Sequence, residues 1–159
     1  MTQSGSTRIS LLLAICLAMA MITGCPKKKE KTPKPPEQLY NEGISFMTKR
    51  KGGAFLNPPD YEKARDSFQE IIYEHPTSRY APLAELKIAD THYEAGDYQT
   101  AADRYKRWRK YHVGRPEIPY AIYRTGMCYF HLMLSIDRDP TYTQQALENF
   151  RLLLLRYPE

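Results

Sequence analysis

The chain has 159 residues and a mass of 18.5 kDa, enough for one domain of ordinary size. Hydrophobic and charged contents of 42% and 26% exclude a disordered polypeptide, and the net charge of +5 is a mild bias. Three scattered cysteines, Cys16, Cys25 and Cys128, exclude a disulfide framework or a zinc site. Thirteen Tyr against eight Gly point to helices packed through half-polar rings.

At the N-terminus, Arg8 is followed by "ISLLLAICLAMAM", residues 9–21, a mostly apolar run of 13 residues. A helix that spans a bilayer needs about 20 such residues. A short apolar run behind one cation is instead a signal-peptide core. It ends in Ile22-Thr23-Gly24-Cys25, which resembles the bacterial lipoprotein box. The resemblance implies cleavage before Cys25 and a thioether-linked diacylglycerol on its sulfur, so residues 1–24 are expected to leave. The covalent lipid on Cys25 is the only non-protein group expected, with no cofactor and no metal. Each buried lipid CH₂ contributes about 0.8 kcal/mol, so two or three chains give a stable anchor.

The next stretch, "PKKKEKTPKPPEQ" (26–38), has four prolines and no large apolar residue. With Cys25 it is expected to form a tether over 25–38, extended and partly polyproline-like, its lysines either solvated or touching anionic headgroups. Pro26 stands where an aspartate commonly retains Gram-negative lipoproteins at the inner membrane. This leans the chain towards the outer membrane, facing the periplasm.

From Leu39 onward the sequence repeats itself. Ala64, Phe68 and Pro76 recur as Ala146, Phe150 and Pro158, and Ala101 and Tyr105 give a middle copy with Val113 at the Pro position. Each copy follows a segment with a small residue and an aromatic: Gly43 and Phe46, Ala89 with His92 and Tyr93, Gly126 and Tyr129. This is the tetratricopeptide pattern, in which small residues let two helices cross closely, an aromatic fills the space beside them, and Pro closes the second helix. The predicted fold is all-α, a helical solenoid of about three hairpins over 39–76, 81–116 and 119–159. The small residue and the Ala are 12 positions apart in the middle copy, but 21 and 20 in the outer two. Those two are predicted to carry inter-helix insertions at 49–60 and 135–143.

"APLAELKIADTHYEAGDYQTAADRYKRW", "PYAIYRTGMCYF" and "SIDRDPTYTQQALENFRLLLLRYP" resemble the BamD lipoproteins of the outer-membrane β-barrel assembly machinery, most specifically at Asp137-Arg138-Asp139-Pro140 leading into Ala146, Phe150 and Tyr157-Pro158. The resemblance implies a non-catalytic scaffold that takes part in inserting β-barrel proteins into the outer membrane. It implies as partners the barrel-forming assembly subunit, other assembly lipoproteins and unfolded barrel precursors. Another tetratricopeptide lipoprotein, a pilotin for a pilus secretin or a cell-division coordinator, is the alternative. Solenoids of this family have about five repeats, so three imply a truncated chain or a last apolar face covered by a partner.

No catalytic constellation appears. His75, His92, His112 and His131 are scattered, and Cys128 and His131 are read as packing residues. In "RYKRWRK" (104–110) helical phasing sends Tyr105 and Trp108 inward and spreads the cations outside, so no nucleic acid is expected. Counting from the small residue of each first helix, the groove-facing places are Tyr40, Ile44 and Met47; Leu86, Asp90 and Tyr93; and Tyr120, Tyr123, Met127 and Phe130. These either line a peptide groove or pack against neighbouring repeats. The family resemblance implies an aromatic-ended C-terminal segment of a barrel precursor as the groove's ligand.

Overall fold

The computed structural model describes residues 33–48, 58–135 and 140–158. The signal segment, Cys25, most of the tether and positions 49–57 and 136–139 lie outside the described residues. Among the described residues six helices follow in order: α1 (Pro36–Thr48), α2 (Tyr61–Glu74), α3 (Tyr80–Glu94), α4 (Tyr98–Tyr111), α5 (Ile118–Ser135) and α6 (Pro140–Arg156). Each helix packs on the next, and α1 also meets α3. The result is three hairpins, α1/α2, α3/α4 and α5/α6, as the repeat pattern predicts.

The helix ends are written locally. Asp60 caps α2, its side chain accepting from the Lys63 N–H at 3.0 Å. Asp97 does the same for α4 through the Thr100 N–H at 3.3 Å, and Gly96 just before it adopts φ +82°, a conformation that costs glycine little. Pro36 opens α1 and Pro140 opens α6, the first-turn position where a missing N–H costs nothing. Two expectations change here. The tether was drawn to Gln38, but helix α1 already begins at Pro36, because the proline that ends an extended spacer also starts a helix. The insertion expected at 135–143 is in part helical: α5 and α6 run 18 and 17 residues against 15 and 14 in α3 and α4, positions 140–143 belong to α6, and 136–139 lie outside the described residues.

The small-residue contacts are tight. A Cβ placed on Gly43 would stand 2.5 Å from the Phe68 ring, and one on Gly126 2.7 Å from the Phe150 ring. Two core clusters result. Leu39, Phe68, Ile71 and Ile88 lead the first, spanning α1, α2 and α3; Ala89, Tyr105, Trp108, Cys128 and Tyr129 lead the second, spanning α3 to α6. Helix α3 belongs to both and is buried nearly all round, as a helix between two layers must be. Tyr105 and Trp108 point inward as phasing predicts, with the indole N–H donating to the Pro82 carbonyl at 2.7 Å. On α6 only Ala146 is buried, and Leu154 and Leu155 are exposed at 69% and 83%.

Candidate functional site: a cleft across the first helices

A cleft of about 340 Å³ crosses the first helix of each hairpin. Met47 and Thr48 of α1 form one wall, Lys87, Asp90 and Glu94 of α3 the floor, and Tyr120 and Arg124 of α5 the other wall, with Pro59 and Tyr61 at the rim. These positions recur every three or four residues on α3 and α5, so each helix offers a single charged or aromatic stripe to the cleft.

The floor is organised by Asp90, a carboxylate only 2% exposed. It accepts from the hydroxyls of Tyr105 on α4 and Tyr120 on α5, the latter at 2.8 Å, and from the Lys87 ammonium at 2.8 Å. Burial and the adjacent Asp90 charge push both tyrosine hydroxyls far above their ordinary range, so they remain protonated donors. Arg124 closes the network. Its guanidinium donates to Tyr105 at 3.2 Å and to Glu94 at 2.8 Å, and lies 3.6 Å over the Tyr93 ring. Burial works against the Arg124 charge, but the bonds to Tyr105 and Glu94 outweigh it and its pKa rises. Tyr93 in turn bonds His131 at 2.9 Å, and His131 stacks on Tyr98 with ring centroids 4.4 Å apart. The two cations are thereby matched by two carboxylates, and the aromatic walls are held by satisfied polar groups.

The structure sorts the predicted groove residues into three sets. Met47 and Tyr120 line the cleft, and Tyr93 stands behind it under Arg124. Tyr123, Met127 and Phe130 form an adjoining stripe on α5, with Tyr123 and Phe130 exposed at 44% and 39% and the Tyr123 ring 6.3 Å from that of Phe150. Tyr40 and Ile44 pack against the first core, Tyr40 between the rings of Phe68 and Tyr80, and Leu86 is buried in the second. Counting at one fixed register does not separate these sets, because the same face of a first helix also packs against the cores, as Tyr40 and Ile44 do on α1 and Leu86 on α3. Arg124, Lys87 and Glu94 escaped the count, because Lys87 and Arg124 lie two residues before Ala89 and Gly126, and Glu94 five after Ala89, at places the count did not take. The available signal was Asp90 itself, an acid next to the close-packed Ala89, which requires donors from neighbouring helices. Cys128 is fully buried, and burial pushes its thiol up to about 12. Cys25 lies outside the described residues.

A family model described as YfiO, an outer membrane lipoprotein, matches residues 34–159. Similar proteins include three named outer membrane protein assembly factor BamD. The one from Rickettsia prowazekii is 29% identical over 150 residues, covering 93% of this chain and 56% of the relative. The one from Caulobacter vibrioides is 29% identical over 151 residues, covering 95% and 48%. The one from Xylella fastidiosa strain 9a5c is 29% identical over 161 residues, covering 92% and 52%. The chain thus spans about half the length of the curated relatives it matches. Among the described residues, no helix is long and apolar enough to cross a membrane.

Proposed function

The chain belongs to the YfiO family of outer membrane lipoproteins, and from that premise we propose that it is a non-catalytic scaffold in the assembly of outer-membrane β-barrel proteins. Lipid on Cys25 holds it at the inner face of the outer membrane. The barrel-forming assembly subunit and other assembly lipoproteins are its partners, and unfolded barrel precursors are its cargo. The relatives described above are named as assembly factors, not as pilotins or cell-division coordinators.

The observation that carries the reading is the pairing of a charge-balanced, hydrogen-bonded cleft with a partly exposed aromatic stripe beside it. Because Lys87 and Arg124 already hold Asp90 and Glu94, the cleft engages a ligand mainly through Met47, Tyr120 and the ring faces of Tyr123 and Phe130. Such surfaces suit an extended peptide with a bulky aromatic end. Tyr123→Ala combined with Phe130→Ala is expected to weaken binding of a peptide ending in Phe by about 2 kcal/mol for each anchor removed, read by fluorescence anisotropy. Both side chains are partly exposed, and circular dichroism of the variant checks its fold. Unchanged affinity would remove the groove from the proposal.

A further inference from the structure

A second surface lies outside the cleft lined by Met47, Asp90 and Tyr120. Each junction between successive hairpins forms a cleft there. At the first junction the cleft is about 120 Å³ and sits between α2, α3 and α4; at the second it is about 340 Å³ and sits between α4, α5 and α6. The two differ in how their charges are arranged. In the first, Arg104 and Arg107 share the cleft with Glu85, whose carboxylate also accepts from His112 at 2.8 Å. Gly126 occupies in α5 the place that Ala89 occupies in α3, so Ile122 stands where Glu85 stands, and the internal anion is replaced by an aliphatic side chain.

The cations of the second cleft come from other positions: Asn149 and Leu152 stand in α6 where Arg104 and Arg107 stand in α4, whereas Lys106 and Arg109 stand in α4 where Gln69 and Ile72 stand in α2. Lys106, Arg109, Lys110 and Arg156 surround the second cleft, and no carboxylate lines it among the described residues. Arg109 is half-buried, and its one hydrogen-bonding partner among the described residues is the neutral Asn149 amide oxygen, at 3.3 Å. Burial and the nearby Arg156 charge both weigh on its protonated form. The floor is apolar, made by Ile118, Ile122 and Leu152, and exposed Val113 extends it. Half-buried positive charge without an anion is unfavourable, and an incoming carboxylate relieves it.

We propose that this second junction cleft binds an acidic, amphipathic peptide segment of a partner protein, with a carboxylate on Arg109 and Arg156 and an aliphatic side chain against Ile118 and Leu152 over buried Ile122. A flat bilayer surface fits less well, because the apolar contact lies inside a concavity. The next hairpin of a longer solenoid would leave the cleft open, as the third hairpin leaves the equivalent cleft at the first junction open.

The test uses the 159-residue chain with three probes: a labelled peptide alternating Glu and Leu, its Gln/Leu counterpart, and vesicles containing phosphatidylglycerol. The Glu/Leu peptide is expected to bind, the Gln/Leu peptide to bind far more weakly, and Arg109→Gln with Arg156→Gln to lower the Glu/Leu affinity by about tenfold or more. Ile122→Glu, which restores the internal anion of the first junction, is expected to abolish binding. If circular dichroism shows that this variant does not fold, the arginine pair decides, since neither arginine sits in a core cluster. Equal binding of the two peptides, indifference to the arginine pair, or binding of vesicles without binding of the Glu/Leu peptide would each overturn the proposal. Tyr123→Ala is expected to leave the peptide affinity unchanged, which separates this surface from the one on the first helices.

Discussion

At the residue scale the molecule depends most on Asp90. A carboxylate taken out of water is unfavourable unless its lone pairs are filled, and here two hydroxyls and an ammonium fill them. Asp90→Ala therefore does more than delete one side chain. It leaves the Tyr105 hydroxyl and the Arg124 charge under-partnered inside the fold, and is expected to cost about 3–5 kcal/mol in urea unfolding. Tyr120→Phe removes a single bond and is expected to cost about 1 kcal/mol by the same measurement. His92 gives the pH dependence. Burial lowers its pKa despite the 3.0 Å bond to Asp97, and Arg104 and Arg65 add to the lowering. Its unfolded value is about 6.5, so on acidification the unfolded chain takes up the proton first. Stability from this group is complete above that value and is lost as pH falls through the folded pKa. His92→Gln is expected to flatten the decline in melting temperature between pH 7 and pH 5; an unchanged slope would assign the dependence to other groups.

At the element scale the close helix crossings set the fold. Gly126 is a poor helix former, and replacing glycine by alanine inside a helix ordinarily gains up to about 1 kcal/mol. Here the added Cβ meets the Phe150 ring at 2.7 Å, and overpacking of that kind costs about 1–3 kcal/mol. Gly126→Ala is expected to be net destabilising in denaturant titration, and Phe150→Leu in the same chain to recover part of the loss. Additive effects of the two changes would deny the contact. These contacts were legible in advance because the repeat pattern names both partners of each pair, Gly43 with Phe68 and Gly126 with Phe150. The helix starts were less so. Pro36 and Pro140 read equally well as the end of a spacer or as a first helical turn, and only the packing of Leu39 and Ala146 decides between them. The candidate site was partly legible. Periodicity reaches Met47 and Tyr120, which line the cleft, but it does not distinguish a residue that faces a cleft from one that packs into a core, as Tyr40 and Leu86 do.

At the scale of the whole molecule, two cores share helix α3, and the polar network on Asp90 ties that helix to α4 and α5. The cleft on the first helices thereby has its Tyr120 wall held by hydrogen bonds, while the second hairpin junction has a cationic cleft. These two surfaces suit a scaffold that holds cargo at one and a partner at the other. Depletion of the protein in its own cell, followed by the heat-modifiability of outer-membrane proteins on gels, tests the scaffold role most directly. The account predicts a general loss of folded β-barrels from the outer membrane. Folded barrels at normal levels, with loss of pili or failed septation instead, would contradict it.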